Sequence, residues 1–287
     1  MQRQQVVHRL LNRVYQIIQE AVFPPKCLVC EAFYRIPLHY RGGISDDAGP
    51  DESAGPSSVQ AQAAISLATC LCPDCLAELA TVESPLCICC GLPFNSRQDQ
   101  DHYCGACLDS GQEFGIARAP LVYDRIVTKL IHCFKYKGKI QLARPLGELL
   151  LTAFTRFWDI NTIDMILPVP LHSSRLRRRG FNQASLLIRY WYRIADRHFC
   201  DLSHIRIADD LLIRTVPTAP QSALGRVQRR RNIQSAFGLG GKEQIGGKKI
   251  LLIDDVYTTG ATVSECSRLL LNGGARQVDV LTLARAV

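Results

Sequence analysis

Apolar residues in the second half of the chain repeat with two periods, which predict alternating strands and helices. Continuous apolar runs predict buried strands over residues 116–123, 162–169, 249–253 and 277–283. Apolar residues at helical spacing predict helices over residues 125–134, 142–158, 182–198 and 261–272. The last strand, helix and strand form a βαβ unit, which implies a parallel sheet with helices on its faces. The predicted fold class is therefore α/β.

The first 110 residues show little such periodicity apart from an amphipathic helix predicted at 5–22, which ends before Pro24 and Pro25. Residues 41–64 are rich in Gly, Ser, Asp, Pro, Gln and Ala, a composition that predicts a disordered insertion or a long surface loop. Two domains are predicted: a small N-terminal module over residues 1–110 and an α/β domain over residues 111–287.

Basic residues are concentrated in one stretch. The chain has a net charge of +8, and from His172 to Asn232 it has 13 Arg against 4 Asp and no Glu. Such a surface suits nucleic acid, pyrophosphate or a nucleotide, although a solvated basic face without a partner has the same composition. The chain has neither an 18-residue apolar run nor a secretory signal core, so we expect a cytoplasmic protein without membrane insertion.

Cysteines are concentrated in the N-terminal module, where ten of the thirteen lie between Cys27 and Cys107. Without an export signal, clustered cysteines indicate metal ligands in preference to disulfides. Four Cys-x-x-Cys pairs occur here: Cys27/Cys30, Cys72/Cys75, Cys87/Cys90 and Cys104/Cys107. Two such pairs complete a tetrahedral shell, so the pattern predicts one or two structural Zn²⁺ sites in a double zinc-ribbon or knuckle module.

The pairing of these cysteines is not unique from spacing alone. The simplest arrangement joins 27/30 with 72/75 and 87/90 with 104/107, but a crossed pairing is also compatible, and Cys70 or Cys89 can replace a neighbour. An iron–sulfur cluster would use the same ligand type. A thioredoxin-like redox pair would need one Cys-x-x-Cys at a helix start in a βαβ unit, so four pairs outside such a unit favour structural zinc.

A second chemical motif follows the strand at 249–253. We call it the phosphate loop, and its residues are Asp254, Asp255, Val256, Tyr257, Thr258, Thr259, Gly260, Ala261 and Thr262. At the carboxyl end of a strand, a turn into a helix presents backbone N–H groups to an anion. The threonines add hydroxyl donors, and the absence of a Cβ at Gly260 allows a close backbone approach. The two aspartates suit sugar hydroxyls or an indirectly held Mg²⁺.

Other phosphate motifs fit less well. A Walker loop needs Gly-x-x-x-x-Gly-Lys followed by Ser or Thr, and the glycine-rich run at 238–247 precedes its strand and has the wrong spacing. That run predicts a hairpin or connector. A Gly-x-Gly-x-x-Gly dinucleotide motif is absent. An acidic pair that only caps the next helix is the remaining structural alternative.

The strand, the phosphate loop and the helix after it resemble the phosphoribosyl-pyrophosphate (PRPP) signature of type I phosphoribosyltransferases. Further segments resemble the ComF/GntX family of competence proteins. They are residues 23–27 with the cysteine pairs, 134–138, 168–183 and 226–237. The resemblance covers nearly the whole chain except residues 41–64, and it implies a phosphoribosyltransferase-like parallel sheet flanked by helices.

The resemblance implies specific binding roles. Asp254 and Asp255 would bind the ribose hydroxyls of PRPP or a related nucleotide, and residues 258–262 its 5′-phosphate. Lys135, Tyr136 and Lys137 lie between two predicted helices, where a pyrophosphate loop sits in such enzymes, although an exposed basic turn is an alternative. Mg²⁺ would bridge the pyrophosphate oxygens. Further anion candidates, as a cover over pyrophosphate or a contact for nucleic acid, are Arg175, Arg177, Arg178 and Arg179.

Two classes of function follow. The resemblance implies a transferase, specifically a phosphoribosyltransferase (a glycosyltransferase) with an unidentified nitrogen acceptor, acting in DNA uptake during natural transformation. Its catalytic residues are not identified, and His132 and His172 are candidates by position only. The alternative is a non-catalytic factor that binds single-stranded DNA through the basic stretch, or a zinc-organised scaffold for other competence proteins.

Overall fold

The computed structural model describes residues 23–37, 59–94, 100–197, 200–216, 236–240 and 244–287. Its α-helices are α1 (Val59–Leu67), α2 (Pro73–Ala77), α3 (Gly105–Ser110), α4 (Arg125–Tyr136), α5 (Ala143–Phe157), α6 (Ser173–Arg179), α7 (Gln183–Ile188), α8 (Trp191–Arg197) and α9 (Ala261–Asn272). Its strands are β1 (Ala117–Arg118), β2 (Leu121–Val122), β3 (Met165–Pro168), β4 (Arg206–Ile207), β5 (Leu212–Arg214), β6 (Phe237–Leu239), β7 (Lys249–Tyr257) and β8 (Gln277–Arg285). Two 3₁₀ turns occur at Ile140–Leu142 and Ile160–Thr162.

A parallel sheet forms the centre of the molecule. Its strand order is β1-β8-β7-β3-β4, and β2 continues the edge that β1 begins beside β8. The longest pairing joins β7 to β8, from Lys249 opposite Gln277 to Tyr257 opposite Arg285. Strands β5 and β6 pair antiparallel in a separate two-stranded sheet, so the glycine-rich run begins with strand residues Gly238 and Leu239. The predicted α/β class is confirmed.

Both faces of the sheet are covered. Leu251 and Ile253 of β7 belong to a core that includes α4, α5, α7 and α8, whereas Ile250 and Leu252 belong to a second core with α9. Because successive strand residues point to opposite faces, burial on both faces requires a continuous apolar run. This explains why residues 249–253 carry no polar alternation.

The cysteine-rich segment packs directly onto the α/β part of the chain. Buried residues from Cys27 to Leu79 share the first core with α4 and α5, and buried residues from Cys87 to Cys104 share the second core with β7 and α9. The predicted boundary after residue 110 therefore separates two segments that share cores, and its position stays a prediction.

One predicted loop is partly wrong. Residues 59–64 were assigned to the disordered insertion, but they form the first turns of α1, where Val59 and Ala63 are buried. The segment is rich in alanine, and α1 packs against α5, so tertiary burial stabilises the helix. Residues 41–58 and the predicted helix at 5–22 lie outside the described residues.

Three strand predictions change in extent. The strand predicted at 116–123 is divided into β1 and β2 at Pro120, which has no N–H to donate to a ladder. The strand predicted at 162–169 is shortened to β3, because residues 160–162 form a 3₁₀ turn. Strand β7 continues four residues beyond Ile253, because β8 pairs with it as far as Tyr257.

Two helix predictions also change. The helix predicted at 125–134 reaches Tyr136, so Lys135 and Tyr136 lie in its last turn. The helix predicted at 182–198 is two helices, α7 and α8, separated by a turn at Arg189 and Tyr190. After this turn Trp191 is fully buried, and its indole N–H donates to the carbonyl of Gly147 at 3.0 Å.

Helix α7 also approaches α5 closely at Gly147, where a Cβ would lie 2.2 Å from the carbonyl oxygen of Leu187. We predict that Gly147→Ala lowers the free energy of unfolding by about 1–3 kcal/mol, because overpacking outweighs the gain in helix propensity. Urea denaturation measures this. Gly246→Ala is the control, since a Cβ there meets nothing within 4 Å. Equal stability of the two variants would contradict the close approach.

Candidate functional site

A cleft opens at the carboxyl ends of β3 and β7. It has a volume of about 670 Å³, which is in the range of small-molecule sites. Its walls come from α4, the segment after β3, α6, the end of β5 and the phosphate loop. In open α/β sheets this edge is where ligands bind, so the topology places the predicted phosphate loop where a ligand would enter.

The phosphate loop is held in a defined conformation. Asp254 accepts a hydrogen bond from the backbone N–H of Asp255 at 2.8 Å. Gly260 has φ +76°, and a Cβ there would lie 2.3 Å from the hydroxyl of Tyr257. Both features require glycine at this position. Helix α9 begins immediately afterwards, so the N–H groups of its first turn face the cleft region.

The predicted loop residues do not all face the cleft. Residues 254–258 and 260–262 line it. Thr259 is not among the lining residues. Its hydroxyl oxygen instead accepts a long hydrogen bond from the backbone N–H of Ala261, with 3.5 Å between nitrogen and oxygen. The aspartates belong to the end of β7 and not to the turn itself, since β7 includes both. The rigid strand therefore fixes the direction of the two carboxylates.

Lys135 and Asp255 form an ion pair at the floor of the cleft. The Lys135 Nζ lies 2.7 Å from Asp255 Oδ2, and the two side chains are 18% and 8% exposed. Burial lowers the pKa of Lys135, but the charge of Asp255 and its hydrogen bond outweigh burial and raise the pKa. The predicted pyrophosphate loop at 135–137 is thus incorrect as a loop, because Lys135 reaches the site from the last turn of α4.

Asp254 has an unusual protonation equilibrium. Burial and the nearby charge of Asp255 raise the pKa of Asp254 to about 7, against the opposing effects of the Asp255 N–H, Lys135 and Arg214. Two adjacent carboxylates in a partly enclosed cleft are costly to ionise together unless a cation is close. The site therefore favours a ligand that brings hydrogen-bond donors or a cation to the aspartates.

The arginine run forms helix α6, which the Gly180 residue ends with φ +85°. Arg175, Arg178 and Arg179 line the cleft, but Arg177 does not. The Arg179 guanidinium lies 5.0 Å from the centroid of the Tyr136 ring and donates to the side chain of Gln183. Tyr136 also lines the cleft, whereas Lys137 is exposed outside it.

Some cleft residues were missed or left undecided by sequence reasoning. Arg214 at the end of β5 and the buried Gln183 both line the cleft. Arg214 belongs to no motif, and Gln183 falls in the segment 168–183 that resembles the family but was given no site role. The folding of β5 and α7 toward the sheet edge brings both there. His132 lines the cleft beside Tyr136. His172 instead caps α6, accepting the N–H of Ser174 at 3.2 Å, so its role there is structural. Residues 226–235, including the arginines at 229–231, lie outside the described residues.

Two cysteine clusters occur away from the cleft. The first consists of Cys27, Cys30, Cys72 and Cys75, and the second of Cys87, Cys90, Cys104 and Cys107. Within each cluster the four sulfur atoms lie within 4.8 Å of one another. The simplest pairing inferred from spacing is therefore confirmed. Cys70 and Cys89 are buried but belong to neither cluster.

The geometry of the clusters fits a tetrahedral ion. Cys30 and Cys72 have their sulfur atoms 3.5 Å apart, and Cys90 and Cys104 have theirs 3.7 Å apart. Zinc–sulfur bonds of about 2.3 Å give a sulfur–sulfur edge of about 3.8 Å in a tetrahedron. Burial raises the pKa of the Cys87 thiol, but the backbone N–H groups of Cys104 and Cys90 outweigh burial and lower it to about 7.

Named relatives of the chain are known. DNA utilization protein YhgH of Escherichia coli O6:H1 is 33% identical over 220 residues, which cover 76% of this chain and 91% of that protein. Competence protein F of Haemophilus influenzae is 32% identical over 222 residues, which cover 75% and 90%. Competence protein ComFC of Streptococcus pneumoniae is 27% identical over 218 residues, which cover 76% and 88%.

Comparisons with protein-family models and with solved structures add no information about the site. No protein-family model matches the chain. The crystal structure of adenine phosphoribosyltransferase from Leishmania donovani is similar over 52% of this chain and 55% of that one, with 17% sequence identity and a TM-score of 0.29. That degree of likeness supports no inference about the site. Separately, none of the helices in the described ranges combines the length and apolarity that crossing a bilayer requires.

The cluster geometry predicts about two zinc ions per chain. Cys75→Ser should lower the measured zinc content to about one or less, because it removes a ligand of the first cluster. Cys70→Ser is the matched control, a buried cysteine outside both clusters, and should leave the content unchanged. Metal analysis by mass spectrometry measures this. An equal loss in both variants would contradict the assignment of ligands.

The raised pKa of Asp254 predicts a dependence of stability on pH. Below the ordinary pKa of 3.8 its contribution is fully present, and it is lost as pH rises through the folded-state pKa of about 7. Between pH 5 and pH 8 the free energy of unfolding should therefore fall by on the order of 2 kcal/mol more in the wild type than in Asp254→Asn. Urea denaturation at both pH values measures this.

The exposed Asp210→Asn variant is the control for this measurement and should retain the wild-type fall. If Asp254→Asn loses as much stability as the wild type over the same range, the buried Asp254 carboxyl is not the titrating group.

Proposed function

Because the chain belongs to the competence protein F family, we propose on that premise that its cleft binds phosphoribosyl pyrophosphate. The observation that carries the proposal is the content of one cleft. The cleft is lined by the phosphate loop without Thr259, including the two strand-end aspartates, and by Lys135, Arg175, Arg178, Arg179 and Arg214. A ligand with a sugar diol between two anionic ends matches this arrangement of acceptors and cations.

The two ends of the ligand would occupy different parts of the cleft. The 5′-phosphate suits the turn into α9, where Thr258, Thr262 and the first N–H groups of the helix provide donors. The ribose hydroxyls suit Asp254 and Asp255, since carboxylates accept hydrogen bonds and repel phosphate. The aspartates therefore mark the ribose position, and the phosphate groups bind on either side of them.

The pyrophosphate suits the cationic wall. In the free protein Lys135 is paired with Asp255, so ligand binding exchanges one partner for another: the ribose hydroxyls take over Asp255 and the pyrophosphate takes Lys135. Arg175, Arg178 and Arg179 approach from α6 on the same wall. Asp254 and Asp255 are the cleft carboxylates that would hold Mg²⁺ indirectly, and the ion would neutralise part of the pyrophosphate charge.

Transfer of the sugar phosphate is the reaction that this site supports. A bond forms between the acceptor nitrogen and the anomeric carbon, and the bond from that carbon to the pyrophosphate oxygen breaks. The nitrogen gives its proton to the departing pyrophosphate or to water. Lys135 and the arginines would stabilise the leaving pyrophosphate, so catalysis would consist mainly of positioning and charge stabilisation. His132 of α4 is a histidine that lines the cleft, and its ring lies beside that of Tyr136.

The names of the relatives support a proposal about the biological role. Their names state competence and DNA utilization, so we propose a role in DNA uptake, in the cytoplasm, with zinc in the two cysteine clusters. A second candidate is a non-catalytic factor for single-stranded DNA. It is favoured by Arg177 and Arg178, which are exposed on α6 at the margin of the cleft. Phosphate contacts of this type weaken steeply with salt.

Calorimetric titration of phosphoribosyl pyrophosphate with Mg²⁺ tests the proposal. Lys135→Met should weaken binding by about 1.5–3 kcal/mol, roughly a tenfold to hundredfold loss, because a charge-assisted bond to the pyrophosphate is removed. Lys137→Met is the matched control, two residues away and outside the cleft, and should bind as the wild type does. Circular dichroism confirms folding of both variants.

The outcomes separate the two candidates. No binding by the folded wild type would overturn the proposal. If the same preparation binds single-stranded DNA with an affinity that falls steeply with salt, the non-catalytic function is favoured.

A further inference from the structure

The second cysteine cluster is connected to the phosphate loop through one buried arginine. We propose that Arg285, near the carboxyl end of the chain, is a positioning residue that transmits the order of this cluster to the phosphate loop. The proposal rests on the proposed function for its effect on ligand affinity, but the coupling itself concerns the free protein. Arg285 is only 7% exposed, so its guanidinium must be satisfied by protein groups.

Arg285 contacts both the second cysteine cluster and the phosphate loop. Its Nε donates to the carbonyl of Cys90 at 3.1 Å, and its Nη2 lies 3.6 Å from the Cys90 sulfur. Its Nη1 donates to the carbonyl of Thr258 at 3.1 Å and approaches that of Tyr257 at 3.5 Å. A guanidinium has five donors in a rigid plane, so one side chain can fix groups on two sides at once.

On the side of the phosphate loop, the contacts of Arg285 extend through Tyr257 to Gly260. The Arg285 guanidinium lies 4.3 Å from the centroid of the Tyr257 ring, which is buried beneath the loop. The Tyr257 hydroxyl in turn occupies the space that a Cβ of Gly260 would need. Arg285 therefore supports the loop from below at Thr258 and, through Tyr257, at the turn into α9.

The cluster side is rigid as well. The turn between Cys87 and Cys90 ends at Gly91, whose φ is +64° and whose Cβ would lie 2.6 Å from the carbonyl of Ala117. The N–H of Ala117 donates to the carbonyl of Cys89 at 2.7 Å. The turn is thus pressed against β1, and an ion held by the four cysteines would lock the Cys90 carbonyl in place for Arg285.

Arg118 provides a matched comparison within the same turn. Its guanidinium donates to the carbonyls of Ile88 and Ala117 at 2.9 Å and of Cys89 at 3.4 Å, and none of these acceptors belongs to the phosphate loop. Both arginines hold the turn that carries Cys90, and Arg285 alone of the two also touches Tyr257 and Thr258. Loss of Arg118 therefore removes hydrogen bonds to the turn between Cys87 and Cys90 without removing any to the phosphate loop.

Hydrogen exchange on the full, zinc-loaded chain tests the coupling without any ligand. In Arg285→Gln, the amides of residues 257–262 should exchange about tenfold faster, and zinc should pass faster to a chromogenic chelator, because an outer partner of the cluster is lost. In Arg118→Gln, zinc release should also be faster, but the loop amides should exchange as in the wild type. Equal loop exchange in Arg285→Gln and wild type would overturn the proposal, as would an equal effect in both variants.

A second measurement uses the wild-type chain and so does not depend on how a variant folds. If the loop and cluster are coupled, chelation of zinc from the second cluster should accelerate exchange at residues 257–262, and unchanged exchange there would overturn the coupling. Titration with phosphoribosyl pyrophosphate and Mg²⁺ then tests the consequence, with affinity lowered about tenfold in Arg285→Gln and unchanged in Arg118→Gln. Absence of ligand binding in the wild type, with the exchange effects present, would reject the proposed function and leave the coupling intact.

Discussion

The parallel pairing of β7 with β8 positions the phosphate loop in the cleft. It runs from Lys249 to Tyr257, four residues further than the apolar run, and its last pair joins Tyr257 to Arg285. Because the ladder continues past Ile253, Asp254 and Asp255 are held by a strand while they face a cleft. The same last pair brings the Arg285 guanidinium under the phosphate loop and beside the second cysteine cluster. The register of this strand pair thus positions the two carboxylates, the turn into α9 and Arg285, which contacts that turn.

The electrostatic repulsion between the adjacent carboxylates of Asp254 and Asp255 is offset mainly by Lys135 of α4. Lys135 lies in the final turn of that helix and reaches Asp255, while Asp254 keeps a raised pKa. Breaking a buried ion pair by removing one partner is strongly destabilising, although the intact pair adds little net stability. The pair is better understood as an electrostatic arrangement that can be exchanged for a ligand. Helix α4 is itself anchored to the first cysteine cluster, since Lys129 donates to the carbonyl of Val29 and Cys133 to that of Leu28.

The two cysteine clusters therefore support opposite walls of one cleft. The first packs against the helix that carries Lys135, and the second is linked to the phosphate loop. Three cysteines of each cluster are buried in a core shared with the α/β part, which gives the small module a hydrophobic contribution that it could not supply alone. These contacts are the structural basis of the coupling that we propose between the second cluster and the phosphate loop.

How much of this was predictable depends on whether the signal is local. The apolar run at 249–253 and the Thr-Thr-Gly turn predicted the strand, the loop and α9, because each is encoded by neighbouring residues. The Cys-x-x-Cys spacing predicted both clusters for the same reason. The end of β7 was missed because two aspartates have low strand propensity and only their partner strand holds them extended. Arg214, Gln183 and Arg285 were missed because their positions arise from tertiary packing, and the helical residues 59–64 because their composition resembles a linker.

The most direct test of this account is a crystal structure of the chain with phosphoribosyl pyrophosphate and Mg²⁺. The account predicts the 5′-phosphate within hydrogen-bonding distance of the amides of residues 258–262, the ribose hydroxyls on Asp254 and Asp255, and the Lys135 ammonium moved from Asp255 to the pyrophosphate. A ligand bound elsewhere, or a Lys135 still paired with Asp255 in the occupied cleft, would contradict it.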